Sequence, residues 1–174
     1  MRPPPPTPAI ANGFSQLAYV VPEIAASEQF FIDTLGVPGF FRIEDIPIYD
    51  STYRGSPGDY GMHLSLGYAG DTQIELVQPL RGRSLYQEFL DAHGPGLQHL
   101  GYLIDDEPAA IAYFAARHIP LIQSGRLGTN PGMRFAYFDT TAQIGIVTET
   151  LLLDEETRTL FARVKNGKHG VYRA

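Results

Sequence analysis

The chain has no cysteine and no tryptophan, and only three methionines, among its 174 residues. Without cysteine there are no disulfides and no thiolate ligands, so any metal site must be built from histidine, carboxylate and amide groups. No stretch approaches the ~18 apolar residues of a spanning helix, and no basic N-terminal segment leads into an apolar core. A cytoplasmic protein without a membrane partner is the resulting expectation. Positive charge is also in short supply: 13 Lys and Arg stand against 19 Asp and Glu, for a net charge of −6. The basic residues are scattered rather than gathered into a stripe, which argues against a nucleic-acid partner. Walker and Rossmann glycine patterns are missing too.

What is present is an internal repeat. Gly96-Leu97-Gln98-His99-Leu100-Gly101-Tyr102-Leu103-Ile104 reads as a strand with one histidine in its middle, running into the turn-forming pair Asp105-Asp106. Placing Gln16 on His99, an offset of 83 residues, pairs Leu17 with Leu100, Ala18 with Gly101, Tyr19 with Tyr102 and Val21 with Ile104. The same offset carries into the following helix, where Phe30 meets Tyr113 and Phe31 meets Phe114. Two copies of one strand–helix unit bury matching faces against each other, so matching residues such as Gln16 and His99 should meet near a pseudo-twofold axis.

Taken in order, residues 1–12 form a Pro-rich tail expected to be disordered, 13–80 a first module, 81–95 a linker helix, 96–152 a second module, and 153–174 a C-terminal helix and tail. The first helix, Glu23 to Leu35, is given an inward stripe of Ile24, Phe30, Phe31 and Leu35, and ends at Gly36. Residues 44–61, with two prolines and three glycines, show no clear period. They read as a lid at a site mouth or as a variable surface loop. Ser84 opens the linker helix with a capping pattern. Arg126 to Met133 reads as a Gly- and Pro-containing loop. The last helix, Asp154 to Val164, carries Leu160, Phe161 and Val164 as its apolar stripe, and the basic residues beyond it are expected to be mobile.

Each module ends on a strand with one carboxylate, Glu75 in Ile74-Glu75-Leu76-Val77 and Glu149 in Val147-Thr148-Glu149-Thr150-Leu151. A period of two sets Glu75 on the face opposite Ile74 and Leu76, and puts Val147, Glu149 and Leu151 on one face. Gln16, Glu75, His99 and Glu149 then form a set of nitrogen and oxygen ligands suited to a divalent metal such as Zn, Ni, Co, Mn or Fe(II). Singly, a strand histidine is more often a hydrogen-bonded core residue, and each glutamate is as well explained by an open, solvated sheet face. Four polar residues at repeat-related places in apolar strands favour the metal reading.

These residues resemble the vicinal oxygen chelate superfamily over about 14–152: the His99 strand with its helix, the Arg126-Leu127-Gly128-Thr129 loop, and the Gly145-Ile146-Val147-Thr148-Glu149 strand. The resemblance implies an α+β fold in which two tandem βαβββ modules form a cupped mixed sheet around a central metal, here with an added C-terminal helix. Its second half is closest in character to methylmalonyl-CoA epimerases. Gln16 stands where a histidine is usual there, and Glu75 where a glutamine is usual. The order Gln, Glu, His, Glu is similar to that of glyoxalase I of the eukaryotic type. The resemblance implies a metal-dependent isomerase, epimerase or lyase acting by proton transfer next to a carbonyl, through a metal-stabilised enolate or enediolate. Glu149 is the leading base, and Glu75 a ligand or the acid on the opposite face. The alternatives are a glyoxalase I-like lyase, a non-catalytic small-molecule-binding protein of the resistance type, and an Fe(II) dioxygenase. The last is weakened by Gln16.

Four further residues are candidates for contact with a small-molecule carbonyl substrate. Tyr68 and His63 differ in strand parity, so at most one faces the cup. Tyr137 neighbours the last strand and reads equally as a core tyrosine. Arg126 and Arg134 flank the glycine loop and would suit an anionic substrate tail, although surface arginines explain them as well. A homodimer is expected, with the apolar face of the terminal helix as one contact.

Overall fold

The computed structural model describes residues 13–128 and 132–173. The Pro-rich tail expected over 1–12 and the centre of the 126–133 loop lie outside the described residues.

The first half runs β1 (Phe14–Val20), α1 (Ile24–Leu35), β2 (Phe40–Glu44), a hairpin β3 (Ile48–Tyr53) and β4 (Ser56–Pro57), then β5 (Gly61–Ala69) and β6 (Thr72–Arg81). After α2 (Leu85–His93) the second half runs β7 (Gly96–Leu103), α3 (Glu107–Ala115), β8 (Leu121–Leu127), β9 (Met133–Phe138), α4 (Thr141–Ile144) and β10 (Val147–Leu152). The chain continues through α5 (Glu155–Lys165) and β11 (Gly170–Arg173). The strands form one mixed, curled sheet in the order β11-β2-β5-β6-β1-β7-β10-β9-β8-β3-β4. Each half repeats the same ladder. β1 lies parallel to β6 as β7 lies parallel to β10, and the antiparallel β1–β7 pairing joins the halves at the middle.

Strand parity decides what each face carries. Leu17 and Tyr19 of β1 and Ile74 and Leu76 of β6 point outward onto Ile24, Phe31 and Ile32 of α1. Phe138 and Ala136 of β9 point outward onto Phe114 of α3, with the Phe114 and Phe138 rings stacked 4.0 Å apart. The opposite parity faces inward: Val20, Leu64, Leu66, Val77, Phe135, Val147 and Leu151 build one core shared by both halves, covered by Tyr86 of α2 and Val164 of α5.

Four expectations are corrected. In α1 the buried stripe is Ile24 and Glu28, with Phe31 and Ile32 half-buried, while Phe30 and Leu35 are 56% and 59% exposed. Glu28 earns its place by accepting from Arg42 Nε at 2.9 Å and from Ser65 Oγ at 2.6 Å, a buried charge being tolerable only when paired. Residues 44–61 are not irregular throughout, because β3 pairs with β8 of the other half. A register shift between Tyr49 and Thr52, with Asp50 at φ 51°, breaks the alternation that would have marked the strand. The basic tail is ordered: β11 extends the sheet beside β2, Tyr172 stacks on Phe41 at 4.2 Å, and Lys165 reaches Asp71 at 2.6 Å. Finally, the apolar stripe of α5 is not a free surface for a second copy, since Leu160, Phe161 and Val164 pack against the inner core of their own chain.

Candidate functional site

The inner face carries two polar rows across the middle of the sheet. In one, Glu75 of β6 lies beside Ala18 of β1, and Ala18 beside His99 of β7. In the next, Gln73 lies beside Gln16, Gln16 opposite Gly101, Gly101 beside Glu149 of β10, and Glu149 opposite Tyr137 of β9. The residues between the long side chains, Ala18 and Gly101, are the small ones, and they are repeat mates. Their small size lets four long polar side chains converge. A Cβ at position 101 would lie 2.4 Å from Gln16 Cγ.

His99 is fully buried, and its Nε2 lies 3.1 Å from Glu75 Oε2 and 3.3 Å from Glu149 Oε2. Gln16 Nε2 donates to the same Glu149 oxygen at 2.8 Å. Potential ligand atoms of Glu75, His99 and Glu149 all fall within 4.8 Å of one another. Burial tends to strip the imidazole of its proton, but the Glu149 and Glu75 carboxylates outweigh it and hold His99 up at about 9. Burial pushes the Glu75 carboxyl up; the His99 contact opposes this and the Glu149 charge adds to it. Two unit charges about 4 Å apart interact by roughly 4 kcal/mol at an effective dielectric of 20. Two buried carboxylates sharing one imidazole are therefore short of positive charge.

Gln16 Oε1 is buried and has no hydrogen-bond partner. Such an orphan is costly, and a cation placed among His99 Nε2 and the two carboxylates is what an amide oxygen would join. The donor set therefore fits a divalent metal: one imidazole nitrogen, two carboxylates and one amide oxygen.

All four residues of the set read from the sequence are brought together. Tyr137 is on the same face, its ring edge-on to His99 at 4.9 Å, and its hydroxyl bonds that of Tyr86 at 2.8 Å. Burial, then the Glu149 charge, push the Tyr137 phenol well up, so it remains a neutral donor. Tyr68 faces the cup and accepts from Gln73 Nε2 at 2.9 Å, whereas His63 points away and accepts from the Asp45 amide. Arg126 and Arg134 are not brought to the site. Their neighbours Leu127, Met133 and Phe135 take the inner parity, leaving Arg126 outside with Asp50 at 3.1 Å and Arg134 with Glu107 of α3 at 2.5 Å.

Gln98 was missed by the sequence reading. A bulge opposite Ala18 and Tyr19 makes it the unpaired residue of β7, and this turns its buried side chain to His99, with Oε1 2.6 Å from Nδ1. An amide oxygen there accepts only from an Nδ1–H, which directs Nε2 toward the carboxylates. Gly101 was also missed as a site residue, though the repeat had already paired it with Ala18. Nothing in the linear sequence marked Tyr86, which arrives from α2.

Beside the site lies a cavity of about 620 Å³ between α5 and the inner face of the sheet, with Phe41, Leu64, Leu66, Met133, Leu160 and Phe161 among its walls. Glu75, His99 and Glu149 do not line it. Leu66, the cross-strand partner of Glu75, stands between the two.

Among solved structures, methylmalonyl-CoA epimerase from Mycobacterium tuberculosis aligns with 88% of this chain and 95% of its own, at a TM-score of 0.59 and 20% identity. A methylmalonyl-CoA epimerase variant from Streptomyces coelicolor in complex with 2-nitronate-propionyl-CoA aligns at a TM-score of 0.57 and 15% identity, covering 82% of this chain and 95% of its own. At these identities the likeness is one of fold. An uncharacterized protein of Bacillus subtilis, YqjC, is 27% identical over 89 residues, which is 51% of this chain and 63% of that relative. The match thus spans less than two thirds of the curated relative. The family model of the Glyoxalase/Bleomycin resistance protein/Dioxygenase superfamily matches residues 15–137. With that match over most of its length and the shared curled sheet, the chain belongs to the glyoxalase/bleomycin resistance/dioxygenase superfamily.

Proposed function

We propose that this protein is a metal-dependent isomerase, epimerase or lyase that moves a proton on the carbon next to a substrate carbonyl. The observation that carries this reading is the buried group in which Glu75 and Glu149 flank one imidazole nitrogen, 3.1 Å and 3.3 Å away, beside the unpartnered Gln16 Oε1. His99 Nε2, Glu75, Glu149 and Gln16 Oε1 would hold the metal. A divalent cation there supplies Lewis-acid stabilisation of negative charge on the carbonyl oxygen.

The chain's own residues do the rest. Glu149 accepts the proton from carbon, a role open to a buried carboxylate whose Oε2 lies 3.3 Å from His99 Nε2. Glu75, one strand beyond Ala18 on the other side, returns a proton from the opposite face, which epimerisation requires. Gln98 holds His99 in one tautomer through the 2.6 Å contact. Tyr137, kept neutral by its surroundings, lies beside Glu149 and donates to a developing oxyanion. Burial keeps water from the pair. Two of the structural neighbours are named methylmalonyl-CoA epimerases, and epimerisation supports the reaction class rather than the substrate.

The test is metal content together with proton exchange. Wild-type protein should hold about one equivalent of a transition metal and His99→Ala none. In deuterium oxide, with a panel of 2-oxo and thioester compounds, wild type should exchange the carbon-bound proton and Glu149→Gln should not. Undiminished exchange by Glu149→Gln would remove Glu149 from its role. Absence of metal from wild type even after incubation with Zn, Ni, Co, Mn or Fe(II) would leave a binding protein of the resistance type.

A further inference from the structure

The cavity beside the carboxylates has a length, a polarity and a charged end, and these specify a ligand. Phe41 of β2, Leu66 of β5 and Glu75 of β6 lie in one cross-strand row, with Ile43 and Leu64 in the row beside it. Over these rows the cavity is apolar, roofed by Leu160 and Phe161 of α5. At its outer edge Lys168 sits with its amine 4.9 Å from the Phe41 ring and 5.3 Å from the Tyr172 ring. Lys165 and Arg173, nearby in sequence, are spent on Asp71 and Glu44. Lys168 lines the cavity and, among the described residues, has no carboxylate partner. Arg163 stands on the same wall, while the acids of this wall, Asp154, Glu155 and Glu156, gather at the other end of α5. Asp154 is occupied there as the helix cap.

From β2 to Glu75 on β6 is two strand spacings, about 10 Å. Resting on the function proposed above, we infer that the substrate is a carbonyl compound whose apolar body, about 10 Å long, fills the chamber under α5 and ends in an anionic group at Lys168. The reacting carbonyl end lies past Leu66, against Glu75 and His99. A medium-chain or aromatic acid fits this description. The C-terminal segment walls the chamber: α5 forms its roof, and the β11–β2 pairing and the Tyr172–Phe41 stack pin the end of the chain beside it. A mainly apolar cleft of this size is typical of a small-molecule site.

Calorimetric titration of the full-length, metal-free protein with octanoate tests this without any turnover. Octanoate should bind one to one, and octan-1-ol, which lacks the charge, roughly three- to tenfold more weakly. Lys168→Ala should weaken octanoate by a similar factor and leave octanol unchanged. Leu160→Trp, which fills the chamber from its helical wall, should weaken both at least tenfold. No octanoate binding by wild type, or binding indifferent to Leu160→Trp, overturns the chamber. Equal affinity for octanoate and octanol overturns the anionic end. Metal uptake is measured on the same proteins. Metal uptake without octanoate binding sinks this inference and leaves the proposed function standing. Octanoate binding without metal uptake withdraws both the proposed function and the carbonyl end of this ligand.

Discussion

The Gln16 side chain lies across Gly101, and it reaches Glu149 at 2.8 Å only because that position has no Cβ, which would stand 2.4 Å from Gln16 Cγ. The same relationship holds by pseudo-symmetry between Ala18 and the Glu75–His99 pair, the central position being again a small residue. The approach of the polar side chains is set by what the middle strands leave out.

Gly101→Ala should therefore displace Gln16 without disturbing the ladder. Overpacking of this kind costs about 1–3 kcal/mol, and the loss should be larger with metal present than without it. Thermal unfolding with and without Zn checks this. An unchanged metal-dependent increment would show that Gln16 is no ligand.

Glu75→Gln should stabilise the metal-free protein while abolishing metal uptake. The substitution removes one of two buried carboxylates that compete for a single imidazole, and relief of about 1 kcal/mol corresponds to a rise in Tm of roughly 2–4 °C. A lower Tm in the metal-free variant would mean that the carboxylate is fully compensated by its neighbours.

The stability of metal-free protein should fall as pH rises from about 6.5 to about 9. His99 is held up to about 9 from an ordinary 6.5, so its contribution is full below the unfolded value and is lost as the imidazolium titrates. Glu75, also raised, contributes with the same sign at lower pH. Metal displaces the His99 proton, so the stabilisation by added metal should grow over the same interval. Denaturant midpoints at several pH values, with and without metal, measure both slopes. A metal-free midpoint that rises toward pH 9 would place the His99 proton elsewhere.

Gln98→Leu should lower metal affinity about 10–100-fold, the usual loss when the partner of a ligating histidine is removed. Gln98→Glu, which restores an acceptor for Nδ1–H, should recover much of it. Equal affinities in wild type and Gln98→Leu would make the 2.6 Å contact a packing detail.

The repeat offset, the single strand histidine and the two glutamates with their period-two neighbours were legible in the linear sequence, because strand parity and repeat pairing are local properties read one residue at a time. From them followed the α+β class and the set Gln16, Glu75, His99 and Glu149. Tertiary structure decided the rest. The β3 strand was hidden because a bulge at Asp50 breaks alternation, and Gln98 because a bulge changes which way one residue points. Arg126 and Arg134 fell outside the cup because the inward parity of Leu127 and Phe135 leaves them only the outer face. Phe30 and Leu35 were misplaced because the inward side of α1 is claimed by Glu28, whose partners come from β2 and β5. The apolar face of α5, which suits a second copy as well as its own chain, was assigned only by the sheet's curl, which brings that face over β5 beside the chamber. Pairings between distant segments have no local signature, since any apolar stripe satisfies any apolar surface until the fold selects one.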